Sequence, residues 1–149
     1  MPGNKVQVTW HLKKDLKWGD GTSIKPADFI LVHTMIMDER LPIISRDADR
    51  RIEKMEAPDD YTLVVTWKEP YANYFLGHGA LPSHVVEPLY KANPEKYKES
   101  NFNTKPLGNG PFQLEEWVSG SHLIFKRNPN WVGEAPRFDS AADCREGKP

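Results

Sequence analysis

Tyr61, Leu63, Val65 and Trp67 alternate with Thr62, Val64, Thr66 and Lys68, the clearest two-residue period in the chain. A run of this kind sends one set of side chains to one face and predicts a β-strand buried on one side. Ala57-Pro58-Asp59-Asp60 precedes it and reads as a turn. Ile52 and Met55, on the far side of that turn, predict the partner strand of a hairpin. Val6, Val8, Trp10 and Leu12 alternate with Gln7, Thr9 and His11 and predict another strand.

A sheet with an apolar face needs a second layer, and the chain contains helices to form one. Pro26 suits a first helical position, Asp28 stands near the positive helix start, and Phe29, Ile30, Val32, Ile36 and Met37 keep helical spacing. The spacing predicts a helix from about Pro26 to Asp38. Leu41-Pro42-Ile43-Ile44 then breaks the pattern into a loop ordered by its apolar side chains. Two short helices are expected further on, one over Val85–Tyr90 capped by Ser83 and one opened by Asn93-Pro94-Glu95. Trp18-Gly19-Asp20-Gly21-Thr22 and Gly108-Asn109-Gly110-Pro111 read as tight turns. Phe112, Leu114, Leu123 and Phe125, on either side of Gly120, predict a closing hairpin. The elements together point to the α/β class, a mixed sheet with helices.

Composition removes several function classes. Lys plus Arg number 20 against 21 for Asp plus Glu, so a formal charge of -1 gives no field to attract nucleic acid or an anionic membrane. No run approaches the roughly 20 apolar residues of a membrane helix, and Met1-Pro2-Gly3-Asn4-Lys5 is polar where a signal peptide would be apolar. The single cysteine, Cys144, has no internal disulfide partner, and it lies far from the position of an acylated lipoprotein cysteine.

The order of the motifs is more specific than any one of them. Val8-Thr9-Trp10-His11-Leu12-Lys13-Lys14-Asp15-Leu16-Lys17-Trp18-Gly19-Asp20-Gly21-Thr22, followed by Pro26-Ala27-Asp28-Phe29, resembles the signature of the family 5 extracellular solute-binding proteins. Further blocks agree in order: Met55–Thr62, Lys68-Glu69-Pro70-Tyr71, Leu81–Val85, Gly108–Phe112 and Arg127-Asn128-Pro129-Asn130-Trp131. The resemblance implies part of a periplasmic-binding-protein type II fold, with residues 1–139 forming a subdomain of the first lobe. Within it, 108–139 would return toward the main sheet. Residues 140–149 do not resemble the family continuation and read as an off-family tail. Lys25 stands where the family usually has a capping Thr or Ser, which predicts a looser helix start.

The implied function is the substrate-binding component of an ABC importer. The intact two-lobed protein would capture a peptide or similar small solute outside the cytoplasm, in the periplasm of a two-membrane cell, and pass it to an ABC permease. In similar proteins the loop after the first helix approaches the ligand, which here designates Leu41, Pro42, Ile43, Ile44 and Ser45. The alternative is a non-transport module that self-associates through an exposed strand edge.

Catalytic and metal readings are weaker. His78 and His84 are six apart and match neither a helical zinc pair nor a finger, and no cofactor is expected. His33, beside Phe29 and Ile36, reads as a packed core histidine, and His11 as solvent-exposed. Ser45 with Asp47, and Ser83 with His84, are neighbours in sequence only, so no enzyme is expected. The alternating charges of Arg46-Asp47-Ala48-Asp49-Arg50-Arg51 fit a solvated loop, and Trp10, Trp18, Trp67, Trp117 and Trp131 fit packing better than ligand stacking.

Overall fold

The computed structural model describes residues 4–74, 79–94 and 105–144 and divides into two compact units. One comprises Met1–Lys14 and Lys25–Glu95, the other Asp15–Ile24 and Lys96–Pro149.

The first unit holds β1 (Val6–His11), α1 (Pro26–Met37), α2 (Asp47–Arg50), β2 (Ile52–Asp59), β3 (Thr62–Trp67) and α3 (Ser83–Ala92). Its sheet has the order β1-β3-β2 and both pairings are antiparallel. The most strictly alternating run therefore takes the centre, where both edges of β3 are paired. Leu63, Val65 and Trp67 are buried there with Ile52, while Val6, Val8, Phe29 and Ile30 pack on them, so α1 forms the covering layer. Each large apolar side chain buried in this way contributes about 1.5–3 kcal/mol.

The hairpin is tighter than the sequence predicts. Asp59 pairs with Thr62, so only Asp60 and Tyr61 lie in the loop and β2 runs through Ala57-Pro58-Asp59. β2 is an outer strand with an irregular register between Glu56 and Asp59, and there Pro58 can lack an N–H without breaking the sheet. Asp59 Oδ1 accepts the Tyr61 N–H at 2.8 Å and fixes the reversal.

Two capping expectations are corrected. Lys25 makes no side-chain cap, and its Nζ bonds Asp60 Oδ2 at 2.9 Å instead. The start of α1 is nevertheless fixed, because Asp28 Oδ2 accepts the Lys25 backbone N–H at 2.9 Å. Ser83 is the first residue of α3 and not its cap; Pro82 occupies the cap position, and the Ser83 N–H is taken by Asp28 Oδ1 at 2.9 Å. Asn93 closes α3, and the helix expected from Asn93-Pro94-Glu95 lies outside the described residues from Glu95 onward.

The second unit carries β4 (Phe112–Val118), β5 (His122–Arg127) and β6 (Ser140–Cys144), antiparallel in the order β4-β5-β6. Gly120, at φ +78°, turns the expected hairpin. The start of the segment expected as a tail forms β6, with Ser140 opposite Lys126 and Cys144 opposite His122.

Three motif blocks that are distant in sequence meet in this unit. Gly19 N–H donates to Gly108 O at 2.8 Å, and Gly19 O accepts from Gln113 Nε2 at 2.7 Å and Asn130 Nδ2 at 2.9 Å. The buried Asn128 completes the set: its Oδ1 accepts from Gln113 Nε2 and the Asn130 N–H, and its Nδ2 donates to Gly110 O. These blocks are a hydrogen-bonded scaffold.

Candidate functional site

The five residues designated from sequence lie in the first unit, on the connection between α1 and α2. The structure divides them. Leu41 is 5% exposed and anchors the loop, Ile43 is half-buried, and Pro42, Ile44 and Ser45 face outward, with Ile44 completely exposed. Apolar packing therefore holds one end of the loop only.

The remaining order comes from Arg46, which the sequence reading assigns to a solvated charge run. Its Nε donates to Ile36 O at 2.6 Å, and its Nη2 donates to Asp38 O at 2.9 Å and Leu41 O at 2.6 Å. Nη1 lies 3.5 Å from Ile43 O. α1 has no basic residue in its last turn, so the cation that suits its negative end arrives from beyond the loop.

Two further ties flank the loop. The buried Asp49 meets His33 Nδ1 at 2.7 Å and joins α2 to α1, so His33 is a packed histidine paired with an acid. Asp38 binds the Arg40 guanidinium through both oxygens, at 2.9 Å and 2.7 Å, and its Oδ2 accepts the Tyr90 hydroxyl at 2.5 Å. The Arg40 guanidinium, and then the Tyr90 hydroxyl, hold the Asp38 carboxyl well below the usual carboxylate range. Burial, and then the bond to Asp38, push the Tyr90 phenol up. Sequence reasoning missed the ties of Asp49 to His33 and of Asp38 to Tyr90 because those partners stand 16 and 52 positions apart along the chain. The absence of a basic residue in the last turn of α1 is the one local sign that a cap had to come from elsewhere.

Ser45 Oγ accepts the Asp47 backbone N–H, His11 and His84 are exposed, and His78 lies outside the described residues. Among the described residues no three His, Cys, Asp or Glu side chains group closely enough to hold a metal ion, and no helix is long and apolar enough to cross a membrane. Trp18 and Trp67 are buried as expected, whereas Trp117 is 52% exposed. In the second unit it borders a concavity of about 400 Å³ together with Leu114, Val118, Leu123 and Phe125.

The model of the bacterial extracellular solute-binding proteins, family 5 Middle, matches residues 3–141. The periplasmic oligopeptide-binding protein OppA of Escherichia coli is 31% identical over 147 residues, covering 85% of this chain and 26% of that protein. The oligopeptide-binding protein OppA of Mycobacterium tuberculosis is 29% identical over 141 residues, covering 89% of this chain and 23% of that protein.

Among solved structures, a putative peptide binding protein AppA from Clostridium difficile superposes with TM-score 0.77 at 30% identity, over 93% of this chain and 29% of that one. AppA from Bacillus subtilis, solved with a nonapeptide, has TM-score 0.80 at 20% identity over 91% of this chain and 27% of that one, a likeness of fold alone. The chain thus spans about a quarter of the length of the curated relatives it matches. Its sheets and helices are part of a periplasmic-binding-protein type II fold, and the chain belongs to the family 5 bacterial extracellular solute-binding proteins.

Proposed function

We propose that this chain is part of the solute-capturing component of an ABC importer that takes up a peptide or similar small solute outside the cytoplasm. The family match across residues 3–141 carries the reading. The 30% identical structural relative, described as a putative peptide binding protein, supports the solute class. In this reading Leu41, Pro42, Ile43, Ile44 and Ser45 form the solute-facing loop, with Leu41 as its buried anchor. Affinity in a two-lobed clamp comes from desolvation and hydrogen bonds contributed by both lobes, so these residues alone bind weakly. The ABC permease is the partner that receives the solute.

Calorimetric titration of the chain with a mixed peptide library tests the weak-binding claim. Heats too small to fit at micromolar concentration are expected, and submicromolar binding would show that these residues hold a complete site.

A self-associating module is the second reading, favoured by one observation: among the described residues each sheet has two outer strands, β1 and β2 in one and β4 and β6 in the other. Outer strands present unpaired backbone groups to another chain. Size-exclusion chromatography with light scattering decides it, and a monomer at high concentration removes this reading.

A further inference from the structure

We infer that Arg46 is the positioning residue of the solute-facing loop, setting its backbone before any solute arrives and leaving Ile44 outward as an apolar contact. The inference rests on the reading of Leu41–Ser45 as solute-facing. It adds a residue outside that stretch and a mechanism of preorganisation.

The geometry carries it. A guanidinium presents five N–H donors in a fixed planar fork. Here three of them reach backbone oxygens on both sides of the helix end: Ile36 O within α1, Asp38 O at its cap and Leu41 O inside the loop. Because the fork is rigid, those three carbonyls cannot move independently. Arg46 is also the cap residue of α2, and its own carbonyl accepts the Arg50 N–H at 2.9 Å. One residue therefore ties the end of the first helix, the middle of the loop and the start of the second helix.

The loop amides record the effect. Leu41 N–H donates to Asp38 O at 3.2 Å, the same oxygen that Arg46 holds, and Ile43 N–H donates to Leu41 O at 2.9 Å, again an oxygen that Arg46 holds. The Arg46 guanidinium bonds Ile36 O, Asp38 O and Leu41 O and approaches Ile43 O. Its contacts are all with backbone oxygens, and their effect falls on loop geometry.

Against this order stands Ile44, an aliphatic side chain with no cover at all. An apolar group held out by a fixed backbone can be desolvated by a ligand without the cost of ordering the loop.

Hydrogen exchange on the 149-residue chain, with Arg46→Gln and Arg46→Lys, tests the assignment. Gln removes charge and fork, while Lys keeps the charge on a single nitrogen that cannot span the three oxygens. Exchange at Leu41 and Ile43 is expected to rise roughly tenfold or more in both variants, with the β3 amides unchanged as the control for folding. Unchanged loop exchange overturns the assignment, and so does protection restored by Lys, which would make the charge sufficient. If Arg46→Gln fails to fold, the Lys variant carries the same test.

The solute-facing reading is checked separately, by following the Ile44 methyl resonances while the tripeptide Ala-Phe-Ala is added. Shifts in the unmodified chain, with affinity about tenfold weaker in Arg46→Lys, are expected if preorganisation aids binding. Altered exchange without methyl shifts would leave the clasp intact and remove the solute-facing reading.

Discussion

Asp28 joins two helices with one carboxylate: Oδ1 accepts the Ser83 N–H at the start of α3 while Oδ2 accepts the Lys25 N–H at the start of α1. The residue is 2% exposed, so the carboxylate holds both amides from inside the packed structure. An unsatisfied buried donor costs about 1–3 kcal/mol. Asp28→Ala should therefore lower unfolding free energy by roughly 2–4 kcal/mol. Asp28→Asn, which keeps one accepting oxygen, should lose less. Urea denaturation of both variants measures the difference.

Gly19 meets Gln113 more closely than a side chain would permit. A Cβ at position 19 would lie 2.4 Å from Gln113 Nε2 and 2.7 Å from its Cδ. The Gln113 amide could swing away only by leaving Gly19 O and Asn128 Oδ1. Gly19→Ala should cost about 1–3 kcal/mol through overpacking and lost hydrogen bonds. Gly21, at φ +90°, is open enough for a methyl group, its nearest neighbour being Asn130 at 3.6 Å. Gly21→Ala should therefore cost only the left-handed backbone strain of about 1–2 kcal/mol. Thermal unfolding of the two variants should place Gly19→Ala at or below Gly21→Ala, with loss of Gln113 side-chain amide protection in the former alone.

The pair Asp38 and Tyr90 makes stability depend on pH at both ends. The Asp38 carboxyl titrates below its unfolded value, so between the two the unfolded chain binds the extra proton and stability falls as acid is added. Its contribution is complete above about pH 4–5 and is lost as pH falls through the folded value. Tyr90 titrates above its unfolded value, so its contribution is present below about pH 10 and is lost as pH rises further. Asp38→Asn should show a flatter stability profile than the unmodified chain between about pH 5 and 2. Equal slopes in urea unfolding across that window would remove Asp38 as the source.

Local pattern shows which parts were legible in the sequence. The period-two run at β3, the helix from Pro26 and the hairpin turned at Gly120 depend on neighbours along the chain, and each forms where the pattern places it. Caps were less legible because the donor and acceptor came from different elements: Ser83 has the right chemistry for a cap, but Asp28, 55 positions away, takes its amide. Pro58 misled for a related reason, since proline marks a turn locally but is also tolerated on an outer strand, and strand order is not written in the local sequence. The loop after α1 was legible from Pro42, its solute-facing role is only what the family resemblance implies, and Arg46 was missed because a charge run looks the same whether its side chains face solvent or backbone carbonyls.

Leu41 and Ile44, three positions apart, should answer mutation in opposite ways. Leu41 is 5% exposed, so truncation removes buried methyl groups and leaves a cavity that the loop can only partly fill. Leu41→Ala should cost about 2–4 kcal/mol and, by releasing the loop backbone, raise amide exchange at Ile43. Ile44 has no packing to lose, and Ile44→Ser should stay within about 0.5 kcal/mol of the unmodified chain. Its effect should appear in binding alone, as smaller shifts of the loop amides when Ala-Phe-Ala is added. A drop of 2 kcal/mol or more from Ile44→Ser would mean, on the scale of buried aliphatic truncation, that the side chain is covered in solution and unavailable to a solute.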